Sequence, residues 1–361
     1  MINKIYIKHI FYIFLTRFAN LTLIFSALIF IMNILEELKF FSNNNQIGIG
    51  YPVLLTTLNL PSVLFEIFPF IILISTQFFF IKFQNTDELL IFKNNGINNL
   101  KIISYVCLLV FVLGLILITV FHLFSSSMKN NYLEFKNKYT NDNKYLAVIN
   151  ENGLWIKDKI DDKFMIIHAE KIEKNILRKL LITEYDSNYI IQKNIVANEA
   201  IITSNKWNIR GATIIDNNGK REKNAEINVE TNFDYIKINS LFSNLESLNI
   251  IELINQKNDF KGVGLNVSDI DLHLYKLIFL PISLVIFTIM SSILMLNIKF
   301  KKSPTFMLIV GILLSVLIYY IFYFFELLGS NNKIPIILSV LLPNIILFLT
   351  CLIGIVNINE K

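Results

Sequence analysis

The sequence predicts an α-helical membrane protein in which six spanning helices, three plus three, flank an inserted all-β domain of jelly-roll-like type. Three observations predict it. The chain of 361 residues is 54% hydrophobic, with 31 Phe but only 12 Gly and 7 Pro, and its mean hydropathy of +0.54 is too apolar for a soluble protein. Six apolar runs are long enough to cross a ~30 Å hydrocarbon layer, which takes about 20 residues. A polar segment of 143 residues, Met128 to Ile270, separates the third run from the fourth.

The runs are Phe11 to Leu35, Pro61 to Phe83, Leu100 to Phe124, Leu272 to Ile298, Pro304 to Leu328 and Ile334 to Val356. The first is too long for a cleavable signal segment and no small-residue cleavage pattern follows it, so a permanent helix is expected. The implied domains are 1–127 (three spans), 128–265 (the β domain, ending in an amphipathic helix) and 266–361 (three spans). Low Gly and Pro exclude a collagen-like or linker-dominated chain, and 17% unevenly spread charge excludes a disordered one.

Charge sets the expected orientation. From Met128 to Ile270, 20 Lys and Arg balance 20 Asp and Glu, so the net +5 comes from short segments beside the runs, with 13 basic and 8 acidic residues. Such a distribution signals topology, not a nucleic-acid patch. Lys4, Lys8 and Arg17 precede or open the first run, Lys82, Lys93 and Lys101 bracket the loop after the second, and Lys299, Lys301 and Lys302 fill the loop after the fourth. The opposite loops carry Glu36, Glu37 and Lys39, then Glu326 and Lys333, without a basic excess. The positive-inside rule then puts both termini and the 84–99 loop in the cytoplasm and the polar segment outside.

Within the polar segment, Lys144 to Ile149, Lys163 to His168, Ile176 to Tyr185, Tyr189 to Ile195, Glu199 to Thr203, Trp207 to Ile215 and Ala225 to Val229 are short and rich in Ile, Val, Tyr and Trp. Asn152-Gly153 and Asn217-Asn218-Gly219 punctuate them, which predicts a sandwich or jelly roll. Leu241, Leu245, Leu248 and Ile251 then form a helical stripe, predicting an amphipathic helix over Leu241 to Asn255. Trp155 and Trp207 read as aromatic core of the β domain, the alternative being that one lines an apolar groove.

Enzyme chemistry has no constellation to rest on. The chain holds no GxxxxGK[ST], HExxH or GxSxG, His9, His122, His168 and His273 stand apart from other ligand types, and Cys107 and Cys351 lie in apolar runs without CxxC spacing. No catalytic residue, metal or cofactor is expected. Ionisable groups at membrane depth are costly, but Arg17 and Glu66 can snorkel or sit near an interface, Lys276 reads as an interfacial anchor and Glu326 as an interfacial or cavity-facing carboxylate.

The loop after the second run differs. Thr86 or Asp87 can cap a short helix there, Leu89, Leu90 and Phe92 give it an apolar face, and Gly96 is placed to end it. Acidic residues at the positive end of such a helix suit docking in a groove of a soluble partner; an ordinary amphipathic connector is the other reading. At these residues the chain resembles the LptF/LptG permeases, because Asp87-Glu88-Leu89 followed by Gly96 is similar to that family's coupling helix. Pro61, Pro69, Gly153-Leu154-Trp155-Ile156-Lys157-Asp158, Leu241 to Asn258, Tyr275-Lys276 through Pro281, Gly311, Gly329, Pro335 and Pro343 follow in the family's order. The Gly153 to Asp158 segment is more similar to LptG than to LptF.

This resemblance implies a non-enzymatic permease subunit of the ABC-type lipopolysaccharide exporter in the bacterial inner membrane. It implies pairing with an LptF-type paralogue, an LptB-type ATPase dimer docked below, an LptC-type bitopic subunit, and a periplasmic bridge of similar jelly rolls that receives the lipid. Asp87, Glu88, Leu89, Phe92 and Gly96 become the ATPase-coupling residues, with Glu88 as the charged contact and Leu89 and Phe92 as apolar anchors. A lipid cavity along spans one and five would take Asn33, Glu36, Lys39, Met307, Leu317 and Ile321. Where family members carry basic side chains for lipid phosphates, this chain has Asn33 and Met307, which leaves Lys39 to read the head group. A membrane scaffold or mechanotransmission subunit is the alternative, although such proteins usually place the outer domain after the first span; a lipid enzyme would need a buried acid/base pair that the sequence lacks.

Overall fold

The computed structural model describes all residues except 1, 43–47, 138–145, 151–152, 161–162, 174, 187–189, 218, 236–237, 239–243, 264–266, 297–303 and 360–361. Residue contacts divide the chain into two compact units, Met1–Tyr132 with Leu272–Lys361, and Leu133–Asp271.

The first unit is a helix bundle. Its elements are α1 (Ile2–Phe41), α2 (Gly50–Asn85), the short α3 (Glu88–Asn94), and α4 (Asn99–Ile116), which runs through a π turn (Leu117–Phe121) into α5 (His122–Asn137). After the second unit, which contains α6 (Ile250–Val263), come α7 (Ser268–Leu296), α8 (Pro304–Ser330) and α9 (Ile336–Asn359). Among the described residues six helices are long and apolar enough to cross a membrane, as the six runs predict. α1 and α2 begin well before their runs, and α4 continues through α5 beyond Phe124, because the apolar run marks only the water-free core where every backbone group must be bonded within the helix, and the helix is free to continue into the interface. Glu36, Glu37 and Lys39 therefore lie in the last turns of α1 and not in a loop, with Lys39 where the helix dipole favours a cation. Pro61 and Pro69 sit inside α2, which begins at Gly50. The basic loop residues Lys299, Lys301 and Lys302 lie outside the described residues.

α2 is the hub of this unit. Its Phe68, Ile72, Phe79, Phe80 and Phe83 pack with Ile10 and Phe14 of α1 and Ile102 and Val106 of α4, all buried. Of its apolar span 61% is buried, against 11% for α1 and 11% for α8. Polar side chains pin helices together where lipid offers no water: Ser291 donates to the Leu73 carbonyl (2.9 Å), Gln84 to the Met295 carbonyl (2.8 Å) and Ser283 to Asn344 Oδ1 (2.8 Å). Backbones also approach closely at small residues. A Cβ on Gly114 would stand 2.8 Å from the Cα of Pro281, so α4 and α7 meet with no room for a side chain. Gly114→Ala should cost about 1–3 kcal/mol, the usual range for overpacking. Thermal unfolding in detergent reads this out, and an unchanged midpoint would contradict the close approach.

The second unit holds one seven-stranded antiparallel sheet in the order β1-β2-β3-β4-β5-β6-β7. Its strands are β1 (Leu146–Asn150), β2 (Gly153–Ile160), β3 (Lys163–Glu173), β4 (Ile176–Tyr185), β5 (Ile191–Ile201), β6 (Lys206–Asp216) and β7 (Arg221–Glu230). The all-β domain expected between the third and fourth spans is present, wired as a meander. The two stretches expected at Tyr189 to Ile195 and Glu199 to Thr203 are one strand, β5, because pairing with β4 and β6 carries the ladder across Asn198. Period-two alternation sets the faces. Ile156, Ile167, Ile182 and Ile195 lie directly opposite one another across β2 to β5, and all are buried. The segment after β7 crosses that buried face: Asn232 donates its backbone N–H and its amide to buried Asp158 of β2, each at 2.9 Å, while Trp207 Nε1 of β6 donates to the Phe233 carbonyl at 2.6 Å. Residues near both ends of the sheet are thereby tied to one three-residue segment.

The two tryptophans separate. Trp207 is fully buried, whereas Trp155 is 40% exposed on the other face, its ring 4.2 Å from that of His168. Trp155 is therefore not core, because its neighbours in sequence, Leu154 and Ile156, take the inward positions. The helix expected over Leu241 to Asn255 is also revised. Residues 241–243 lie outside the described set, Leu245–Ser247 form a 3-10 turn, Leu248 is extended, and α6 begins only at Ile250. A capping box decides the start: Asn249 N–H donates to Glu252 Oε2 (2.8 Å) and Glu252 N–H to Asn249 Oδ1 (3.0 Å). In consequence Ile251 faces out and Leu253 and Phe260 face in.

Candidate functional site

α3 joins α2 to α4 by two sharp turns with different chemistry. At its start Asp87 takes a left-handed φ of +54° and makes no side-chain cap, so neither Asp87 nor Thr86 caps in the expected way. Thr86 Oγ1 instead lies 2.9 Å from both the Lys82 carbonyl and Glu88 Oε1. At its end Gly96 (φ +76°) donates to the Lys93 carbonyl at 2.9 Å and Ile97 to the Phe92 carbonyl at 3.0 Å. That is the Schellman pattern, completed by burial of both Ile97 and Phe92. Gly96 ends the helix as its position predicts, since a left-handed residue with a Cβ would cost about 1–2 kcal/mol.

Two contacts fasten α3 to α1. Phe92 is 3% exposed, its ring 4.9 Å from Tyr6 and 5.4 Å from Phe83. Glu88 Oε2 accepts from His9 Nε2 at 2.9 Å, and the Glu88 side chain is 19% exposed. Glu88 and Phe92, two of the five residues expected to meet a partner, thus turn inward. Phe92 anchors α3 to its own bundle, because an aromatic ring on a seven-residue helix is more stable in that core than in water. Leu89 is partly buried against the same core. The outward face carries Asp87, which was expected there, together with Leu90 and Ile91, 58% and 52% exposed. Tyr6 and His9 were missed in the sequence because Glu88 is 79 residues from His9; the local signal was a His three residues from a Tyr at the start of an apolar helix.

The residues expected to line a lipid cavity fall in two separate sets. On α1, Asn33 is partly buried while Glu36 and Lys39 are exposed. Leu317 of α8 is 54% exposed and Ile321 is partly buried; the side chain of Met307 lies outside the described set. Among the described residues, no hydrogen bond or ion pair joins the α1 set to the α8 set. α2 packs against both helices. The apolar faces left open run along Ile24, Leu28, Ile31 and Leu35 of α1 and Leu313, Leu317, Tyr320 and Phe324 of α8. Phe25, by contrast, turns inward onto Phe70 at 5.4 Å.

Of the charged side chains of the spans, Lys276, Glu37 and Lys129 have partners on neighbouring helices, Glu326 being the partner of Lys276. Lys276 of α7, read from sequence as an interfacial anchor, and Glu326 of α8, read as an interfacial or cavity-facing carboxylate, form an ion pair at 3.0 Å. Glu37, 3% exposed, accepts a 2.8 Å hydrogen bond from the Tyr132 hydroxyl of α5, and Lys129 donates to Asn59 Oδ1 at 2.8 Å. For Glu37 such a partner is what burial of a charge in a low-dielectric bundle requires. Among the described residues no three His, Cys, Asp or Glu side chains cluster as a metal site would need.

Comparison with known proteins agrees with this architecture. No curated protein matches the chain. The family model described as lipopolysaccharide export system permease LptF/LptG matches residues 8–357, nearly the whole sequence, without separating the LptF branch from the LptG branch. With six apolar helices, an antiparallel β domain between the third and fourth, and a match that runs through all of them, the chain belongs to the LptF/LptG family of lipopolysaccharide export permeases.

Proposed function

We propose that this chain is the LptG-type permease subunit of an exporter that takes lipopolysaccharide out of the inner membrane with work supplied by a separate ATPase. A lipid with several acyl chains cannot leave a bilayer unaided, because each buried CH₂ contributes roughly 0.8 kcal/mol. The work must enter at a partner contact. The observation that carries this reading is α3: a short helix held at two points, with Asp87, Leu90 and Ile91 on its outward face. An LptB-type ATPase dimer docks on that face, and its closure on ATP moves α3.

The open faces of α1 and α8 meet the corresponding helices of an LptF-type paralogue, and the lipid leaves between them, with Leu317 against acyl chains and Lys39 near the phosphorylated head. An LptC-type helix and a periplasmic bridge complete the path. Basic residues flanking the spans support an orientation with both termini and α3 in the cytoplasm and the β domain in the periplasm. Single cysteines tested in a chain lacking Cys107 and Cys351 check that orientation. L90C should label only from the cytoplasm and K220C only from the periplasm, and same-side labelling would overturn the six-span reading. Co-purification tests the function: an ATPase should come down with the chain, and its loss on L90D/I91D should follow. Retention of the ATPase by that variant would remove α3 as its dock.

A further inference from the structure

We infer that His9 is a positioning residue that makes α3 and α1 one mechanical body, so that α1 acts as a push-rod across the bundle; this rests on the ATPase-docking reading above. The argument starts from the attachment. On α1, Tyr6 and His9 lie one turn apart, and on α3 Phe92 and Glu88 lie one turn apart, paired in opposite chain sense. One contact would leave α3 free to pivot. Two contacts a helical turn apart, one apolar and one a charge-assisted hydrogen bond, fix its direction as well as its position.

The rod itself is unusual in this chain. α1 is 40 residues long, about 60 Å at 1.5 Å per residue. Among the described residues it is the one spanning helix with neither Pro nor Gly nor a π turn: α2 holds Pro61 and Pro69, α4 holds Gly114 and leads into the π turn, α7 holds Pro281, α8 holds Gly311, and α9 holds Pro343 and Gly354. Pro and π turns are the usual hinge points of helices and Gly loosens a helix, so displacement is more readily absorbed in those helices than along α1. Its far end is fastened too, because buried Glu37 accepts from Tyr132 of α5 at 2.8 Å. A shift of α3 is therefore delivered through His9 to the Glu36–Lys39 end of α1 and through Glu37 to α5.

The test uses the full chain with its co-purifying partners in lipid nanodiscs. Spin labels go on Y12C and K93C, at exposed positions of α1 and α3 outside the docking face, with Cys107 and Cys351 replaced by Ser. The expected result is a narrow 12–93 distance distribution that stays unchanged between the nucleotide-free and ATP-bound states. H9A should broaden it and lower lipid released per ATP by about tenfold, the scale of losing a charge-assisted hydrogen bond. H9Q, whose amide places a donor near the Nε2 position, should restore both. A 12–93 distance that shifts on ATP binding overturns the inference, as does an H9A distribution as narrow as the wild type. Failure of the docking reading shows differently, as absence of ATP-driven lipid release from the unmodified complex, and the H9A distribution still decides the clasp.

Discussion

Glu88→Ala is expected to reduce lipid released per ATP hydrolysed by about tenfold or more while the chain still assembles with its partners. Both carboxylate oxygens are engaged, Oε2 by His9 and Oε1 by Thr86, each at 2.9 Å. Alanine removes the polar attachment and leaves α3 held by Phe92 against Tyr6 and Phe83. The helix then pivots under load instead of moving its neighbour. Glu88→Gln keeps an oxygen acceptor and should fall between the two. Measuring lipid release and phosphate release together in proteoliposomes gives the ratio directly, and a wild-type ratio for Glu88→Ala would take this residue out of the coupling path.

Trp207→Ala should be the most destabilising single truncation in the β domain, at about 3–5 kcal/mol. The indole is fully buried and its Nε1 donates to the Phe233 carbonyl at 2.6 Å, so its loss opens a cavity and loosens the segment that ties β2 to β6. Trp207→Phe should cost much less, because the Thr231 hydroxyl also lies 2.8 Å from that carbonyl and keeps it satisfied. Trp155→Ala, on the exposed face, should stay within about 1 kcal/mol of wild type. Thermal unfolding of the full chain in detergent ranks the three; equal effects for the two alanine variants would contradict the assignment of faces.

That contrast marks where the sequence is legible. Apolar runs of membrane length and period-two strands are local signals, so six spans and an all-β insert can be read from residues alone. The Gly96 stop is equally local, since a glycine beyond an apolar turn can adopt the left-handed backbone that closes a Schellman motif. What cannot be read locally is which face a residue takes once two elements meet. Trp155 and Trp207 look alike in sequence, yet only the register of β2 with β3, and the crossing of Phe233 beneath β6, send one out and the other in. Phe92 looks like a partner anchor until Tyr6 and Phe83 are brought against it. The start of α6 was misplaced for a different reason: a stripe of Leu245, Leu248 and Ile251 has helical spacing, but the Asn249–Glu252 box sets the first turn beyond it.

Family membership places the chain among export permeases, and the absence of a P-loop motif makes the source of work the central question. The most direct measurement is release of lipopolysaccharide from proteoliposomes holding this chain, its paralogue and the ATPase, with a lipid acceptor outside. Release should require ATP, stop when the ATPase is replaced by a hydrolysis-deficient variant, and stop again when L90D/I91D prevents docking on α3. Equal release without ATP, or with the docking face disrupted, would contradict a permease driven through that helix.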